Sequence, residues 1–440
     1  MEISSRRAWV LNGLQNSTQL FHAIMLRKRT DWIAVAMVFL APVFFLTIKG
    51  WTNFISIVLF LFCIFQFFKR SPSARKSVDR EFWLVLVCLI MPFLSELVLQ
   101  VCRGTFDGPA MDGPVRSVVA GVIFVYFVWF PVKNIARQLA LGAMWGIIFV
   151  YFSISMFEQY FWNGRFATYF VDPITLPCFL VAMLALVINQ KPLMEKPSLS
   201  LLMVACLSLM VLHVSLGSMS RSSWVSLYVL GLVFLYFSYK DSSKYTGLYF
   251  VLLLVFPVVA YFASEVVKIR VDQAVFGIEE FLNGDSSHSV SQRLSLLILD
   301  LELLRHFPLI GLRDGQLPPY EDLRPIIPWL DKSIYEIKLL AGSHTEIMAQ
   351  LVRKGLFLGG SVLVAMFFYP MFFFYRYSSS RIARVRVAAR MGLAFVISIL
   401  ASSLTIQVFN LKMTSTFYGF CVALLMAAVI SESRANQRTE

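Results

Sequence analysis

Three side chains in the 440-residue sequence could act as a base and as anion ligands: His344, Arg221 and Arg293. Ser343 and Glu346 flank the histidine with the Ser-x-x-Glu spacing of a capping box, which predicts that His344 lies in the first turn of a helix. Unpaired N–H groups and the positive end of the helix dipole disfavour an imidazolium there. We therefore expect a neutral imidazole near pH 7, as a general base requires. The alternative is an incidental histidine where a membrane helix begins.

The two arginines are candidate ligands for a phosphate group. A guanidinium stays protonated and presents a fork of N–H donors that suits a diphosphate. Arg221 lies between Ser220 and Ser222, whose hydroxyls could add donors, and Arg293 opens a leucine-rich segment. Each arginine also has an ordinary interpretation. Arg221 could be a snorkelling or headgroup-binding arginine, and Arg293 could be a solvated surface charge.

The composition indicates an integral membrane protein made of helices. Hydrophobic residues make up 58% of the chain and charged residues only 15%, whereas an ordinary soluble domain has about 25% charged residues. The net charge of +13 is spread over short connections between apolar segments. This pattern is typical of topology signals and contact with anionic membrane lipids, so we expect no nucleic-acid partner.

We expect neither a metal nor another cofactor. The six cysteines form no CxxC pair, and no histidine joins them at metal-ligand spacing. The acidic residues of the long polar segment are scattered, without a DxD-type pair. The first thirty residues are largely polar, so no cleavable signal peptide is expected.

Hydropathy predicts twelve membrane-spanning helices. The distribution of Lys and Arg places both chain ends in the cytoplasm. The predicted spans are Trp32–Ile48, Thr52–Phe68, Phe82–Val101, Val118–Val132, Leu139–Phe157, Ile174–Ile188, Leu199–Gly217, Trp224–Tyr239, Tyr245–Ala263, Leu356–Tyr375, Val387–Leu404 and Met413–Ile430.

One connection is far longer than the others and falls on the outer face. It divides the chain into spans 1–9 (residues 1–263), a loop domain (264–343), spans 10–12 (344–431) and a cytoplasmic tail (432–440). Its length marks it as functional or disordered. The leucine density of Gln292–Phe307 favours an ordered helix, and Lys332–Leu340 is predicted as a second one.

In these features the chain resembles the O-antigen ligases and their polymerase relatives. Three stretches carry the resemblance, together with Asp172-Pro173 before a span: Ser220–Trp224, Ser291–Gly315 with its Gln-Arg293 and His306-Phe-Pro308-Leu-Ile-Gly311 elements, and His344–Gly359. The chain departs from the family pattern at Thr345, where Asn, Ser or Gln is common, and in the wider spacing of Gly355 and Gly359.

The resemblance implies a glycosyltransferase of the multi-span C type (GT-C) in the bacterial inner membrane, with its site in the periplasm. Such an enzyme transfers a preassembled glycan from undecaprenyl diphosphate to a sugar hydroxyl of the lipid A-core. The transfer needs no metal and inverts the anomeric carbon. Carried onto this chain, His344 would be the base, and Arg221 and Arg293 would hold the diphosphate and stabilise its departing charge.

Three alternatives remain open. A polymerase that extends the glycan on its lipid carrier, or an oligosaccharyltransferase that modifies a protein, would share the same arginines and histidine. A transporter also suits twelve spans. The spans contain few ionisable residues, with Glu96 as the main exception, which argues against a coupled transporter.

Overall fold

The computed structural model describes residues 31–69, 79–158, 164–190, 197–312, 317–409 and 411–437. These ranges are helical and contain no β-strand. Residues 1–30 and 438–440, at the two predicted cytoplasmic ends, lie outside them, as does Gly315 of the family-like motif.

Ten helices in these ranges are long and apolar enough to cross a membrane. The predicted all-α, multi-pass membrane protein is therefore confirmed, while the first and sixth predicted spans coincide with shorter apolar helices, α1 and α6. The helices up to the long connection are α1 (Asp31–Val43), α2 (Trp51–Lys69), α3 (Arg80–Arg103), α4 (Gly108–Trp129), α5 (Ile135–Ser153), α6 (Thr175–Ile188), α7 (Pro197–Gly217), α8 (Arg221–Lys240) and α9 (Thr246–Ala263).

The described part of the connection holds four helices, α10 (Glu265–Leu282), α11 (Ser289–His306), α12 (Tyr320–Leu323) and α13 (Lys332–Ala341). The two helices predicted there, α11 and α13, are confirmed within a few residues. The chain continues with α14 (Glu346–Leu363), a π-helical turn (Val364–Phe368), α15 (Tyr369–Tyr377), α16 (Ala383–Ser403) and α17 (Lys412–Gln437).

The bundle is organised around its last helix. The apolar stretch of α17 is 89% buried, and the helix packs against α4 and α16. By contrast, the apolar stretch of α9 is 0% buried. An apolar helix is stable in either place, because lipid and a protein core both accept apolar side chains.

The long connection has a small apolar core of its own. Leu296, Leu299 and Leu303 recur along one face of α11 and belong to one buried cluster with Ile334 of α13. Two buried residues of α14, Met348 and Val352, belong to the same cluster. The connection is thus seated directly on the first turns of the candidate membrane span that begins at Glu346.

That helix, α14, is interrupted at Gly355, whose φ of 75° lies in the left-handed region. The segment after α11 supplies the missing hydrogen bonds: Leu356 N donates to Pro308 O at 2.8 Å, and Leu312 N donates to Val352 O at 2.7 Å. A Cβ on Gly355 would lie 2.2 Å from Leu309 O, so only glycine fits. The break therefore couples the long connection to the bundle.

Glu96, the acidic residue that stood out in the predicted spans, is paired. Its Oε2 lies 3.3 Å from both Arg353 Nη2 and Lys354 Nζ, and its side chain is 2% exposed. The carboxylate thus forms part of the contact between α3 and α14.

Candidate functional site

A cavity of about 240 Å³ lies where the start of α8 meets α10 and α11. Four arginines line it, two predicted and two not. The described residues that line it are Arg165, Ile174, Met219, Ser220, Arg221, Ser222, Arg270, Ser289 and Arg293. We call it the arginine cavity.

Neutral groups hold three of the four guanidinium groups in place. Arg165 Nε donates to the carbonyl of Ser218 at 2.8 Å, at the end of α7. Arg221 Nη2 lies 3.1 Å from the hydroxyl of Ser289 at the start of α11, and Arg270 Nη1 donates to Gln273 within α10 at 3.2 Å. These bonds orient the side chains without neutralising their charge.

Across the described ranges, none of the four guanidinium groups makes an ion pair with a carboxylate. Asp172 is the acidic residue whose charge acts on Arg165. Its Oδ1 accepts hydrogen bonds from Ile174 N at 2.8 Å and Thr175 N at 2.9 Å, and so caps the start of α6. The Asp172-Pro173 pair therefore has a structural role next to the site.

Burial and the neighbouring like charges both act on the arginines of the cavity. Burial, followed by the charge of Arg270, lowers the pKa of both Arg293 and Arg165. A guanidinium stays protonated even so. An anion in the cavity would relieve this repulsion, and four cations would favour one with more than one negative charge.

Two further donors in the cavity lack a protein partner. Ser220 is the N-cap of α8, but its side chain makes no capping hydrogen bond. Its buried Oγ and the buried Nη1 of Arg221 have no hydrogen-bond partner in the described structure. Buried donors are costly to leave unpaired. Together with the positive end of the α8 dipole, they suit an anion.

The capping box predicted around His344 was wrong. The helix begins at Glu346, and its N-cap is Thr345, whose Oγ1 accepts from Met348 N at 3.1 Å. The Glu346 carboxylate faces the protein interior instead, where it accepts from Gln350 at 2.7 Å and from Phe409 N at 3.1 Å. His344 thus lies just before the helix and not in its first turn.

His344 is nevertheless held toward its neutral form, for a different reason. Burial, followed by the charges of Arg293 and Lys338, lowers the pKa of His344. The histidine does not line the arginine cavity. Arg293 connects the two, since it lines the cavity and its charge acts on the imidazole.

The structure therefore brings Arg221 and Arg293 into one cavity with Ser220 and Ser222 and places the His344 imidazole where the charge of Arg293 acts on it. Sequence reasoning missed the other two arginines as ligands. Arg165 lies in the connection before α6, and Arg270 lies on α10, which was not predicted. The amphipathic pattern of Glu265–Leu282 could have revealed that helix.

Within the described ranges, no group of three or more His, Cys, Asp or Glu residues is arranged to hold a metal ion. Comparison of the chain with models of known protein families and with curated proteins gives no match.

Proposed function

We propose that the protein is a glycosyltransferase of the O-antigen ligase type. It moves a preassembled glycan from undecaprenyl diphosphate to a sugar hydroxyl of the lipid A-core. The observation that supports this proposal most is the arginine cavity: four cations that form no ion pair with a described carboxylate, two buried donors without a partner among the described residues and a helix start, all beside membrane-spanning helices. A lipid-linked diphosphate combines the charge and the location that such a cavity requires.

In this proposal, His344 accepts the proton of the acceptor hydroxyl as its oxygen attacks the anomeric carbon of the glycan. The bond from that carbon to the diphosphate oxygen breaks on the opposite face, which inverts the configuration. The diphosphate leaves on its lipid carrier, and the imidazolium passes its proton to water. Arg221, Arg293, Arg165 and Arg270 hold the diphosphate and stabilise the charge it gains as it departs.

The volume of the cavity agrees with the proposal that the arginines hold only the diphosphate. At about 240 Å³ it suits a diphosphate headgroup, not an entire glycan. The glycan and the lipid chain would extend beyond it. The proposal also places the cavity on the periplasmic side of the inner membrane, with both chain ends in the cytoplasm, as the Lys and Arg distribution predicts.

The test is transfer by the purified protein in detergent. Undecaprenyl-diphosphate glycan is incubated with lipid A-core, with a second equivalent of the same lipid-linked glycan, or with an unfolded protein substrate. Products are identified by mass spectrometry. The variants Arg221→Ala and His344→Ala are compared with Arg305→Ala, which removes an exposed arginine on α11.

Glycosylated lipid A-core formed by wild type and Arg305→Ala, but not by the other two variants, is the expected result. Elongated lipid-linked glycan would indicate a polymerase, and a glycosylated protein would indicate an oligosaccharyltransferase. Absence of transfer to every acceptor by folded protein would overturn the proposal.

A further inference from the structure

Lys338 on α13 is a buried cation next to the candidate base. Its side chain is 6% exposed, and that of its partner Asp300 on α11 is 2% exposed. The Lys338 ammonium contacts the Asp300 carboxylate and also donates to the hydroxyl of Ser343 at 2.5 Å. Ser343 immediately precedes His344, so Lys338 connects α11 to the segment that carries the histidine.

Asp300, the partner of Lys338, lies on the same helix as Arg293. Asp300 follows Arg293 by seven residues, which places the two on the same face of the helix, two turns or about 10 Å apart. One end of this face therefore lines the arginine cavity, and the other holds Lys338. Through Lys338 and Ser343, a single helix face reaches both the cavity and the histidine.

Stability alone is a weak explanation for this ion pair. The surrounding core is built from Leu and Ile side chains such as Leu296, Leu299 and Ile334. A buried ion pair is costly to desolvate, and a well-packed apolar pair is often at least as stable. An apolar pair, however, could not donate to Ser343. What the charged pair adds is a directed contact to the segment before α14.

Backbone hydrogen bonds hold the two ends of that segment: Gly342 N donates to Lys338 O at 2.9 Å, and Glu346 N donates to Ile406 O at 3.2 Å. Between these ends, the Lys338 ammonium holds the side chain of Ser343. Residues 342–345 are not helical, and Gly342 adopts a φ of 69° in the left-handed region. The hydrogen bond that caps α14, from Met348 N to Thr345 Oγ1, involves residues that follow the histidine. A misplacement of about 1 Å can cost a hundredfold in rate, so a base on this segment needs support from its preceding residue.

We infer that Lys338, held by Asp300, is a positioning residue that fixes His344 relative to Arg293 through Ser343. The role of His344 as a base rests on the proposed function. The fixing of His344 by Lys338 does not depend on catalysis. The charged groups that act on His344 are Arg293 from α11 and Lys338 from α13, and Lys338 is paired with Asp300 from α11.

The test uses Lys338→Met, Asp300→Asn and the apolar pair Asp300→Leu/Lys338→Met in the full-length protein. The matched control is Lys332→Met, on the exposed face of the same helix. Glycan transfer gives kcat and KM, thermal unfolding gives Tm, and modification of His344 by diethyl pyrocarbonate, quantified by mass spectrometry across pH, reports on the imidazole without catalysis.

We expect Lys338→Met to lower kcat by about tenfold to a hundredfold, with less than a twofold change in the KM for the donor. The apolar pair is expected to recover Tm but not kcat. Both variants change the pH profile of His344 modification, and Lys332→Met does not. Wild-type kcat and an unchanged profile in the apolar pair would overturn the inference and show that the ion pair only fills space.

The two readouts separate the two proposals. If wild-type protein transfers no glycan, the proposed function fails, while the modification profile of the apolar pair, which removes the opposite charges of Asp300 and Lys338 together, still decides whether Lys338 fixes His344. If wild-type protein transfers glycan and the Lys338 variants match it in both readouts, only the positioning role fails.

Discussion

Arg293 and Asp300 share one face of α11, two turns apart. The guanidinium of Arg293 lines the arginine cavity, whereas the carboxylate of Asp300 is buried against Lys338. Burial raises the pKa of Asp300, and the Lys338 ammonium acts against this rise. The orientation of α11 therefore fixes both the position of Arg293 in the cavity and the position of the ion pair that contacts the segment carrying His344.

Replacing Arg270 by Ala should weaken binding of undecaprenyl diphosphate. Its charge acts on Arg293 and Arg165 across the cavity, and a hydrogen bond to a charged group contributes about 1.5–3 kcal/mol. We therefore expect a roughly tenfold to hundredfold increase in Kd, measured by calorimetry in detergent. Lys268→Ala, which removes an exposed cation from the same helix, is the control. Equal affinity of the two variants for undecaprenyl diphosphate would show that Arg270 does not bind the ligand.

Replacing Arg293 by Lys tests the geometry of the cation separately from its charge. Lysine keeps the charge but presents a point instead of a planar fork, so a bidentate contact to phosphate is lost. We expect glycan transfer to fall about tenfold or more, while Arg305→Lys on the exposed side of α11 transfers normally. A wild-type rate for Arg293→Lys would show that charge alone suffices.

The rate of transfer should depend on pH through His344. Because its pKa lies below the usual value of about 6.5, the imidazole stays neutral and competent as a base at neutral pH. The rate should therefore be flat at neutral pH and fall on the acid side with a midpoint below 6.5. Arg293→Gln removes the main charge that disfavours imidazolium, so the midpoint for His344 should move upward.

This shift can be followed without catalysis by the pH dependence of His344 modification with diethyl pyrocarbonate, with the denatured protein as reference. A His344 midpoint above that of the denatured protein would contradict the environment described here.

Replacing Gly355 by Ala should destabilise the protein. Its φ of 75° disfavours any side chain, and the new Cβ would lie 2.2 Å from Leu309 O. We expect a loss of about 2–4 kcal/mol in the free energy of unfolding, seen as a lower Tm. Gly360 is the matched control in α14, since a Cβ there has no neighbour within 4 Å. Gly360→Ala should leave Tm unchanged or raise it; equal Tm values for the two variants would refute the strain.

The membrane-spanning part of the fold was predictable because apolar runs must form helices in lipid. Hydropathy located the long spans to within a few residues in most cases, and leucine density located α11. It did not locate α10, whose Glu265–Leu282 sequence is mixed in polarity and gains its partner only when α11 packs against it.

The candidate site was predictable only in part. Arg221, Arg293 and His344 stood out by residue type and placement, but the convergence of Arg165 and Arg270 on the same cavity depends on contacts between distant segments. The capping box failed for a similar reason. Glu346 has the right spacing for a capping box, yet its carboxylate accepts a hydrogen bond from the backbone N–H of Phe409, sixty-three residues later.

The four guanidinium groups of the arginine cavity also bear on turnover. In the proposed reaction, the spent carrier keeps its diphosphate, and the newly freed terminal phosphate can carry more negative charge than it did in the donor. A cavity with four cations and no acid of its own would hold this product at least as tightly as the substrate. Departure of the spent carrier, not bond formation, would then limit the steady-state rate, and raising the ionic strength should accelerate it.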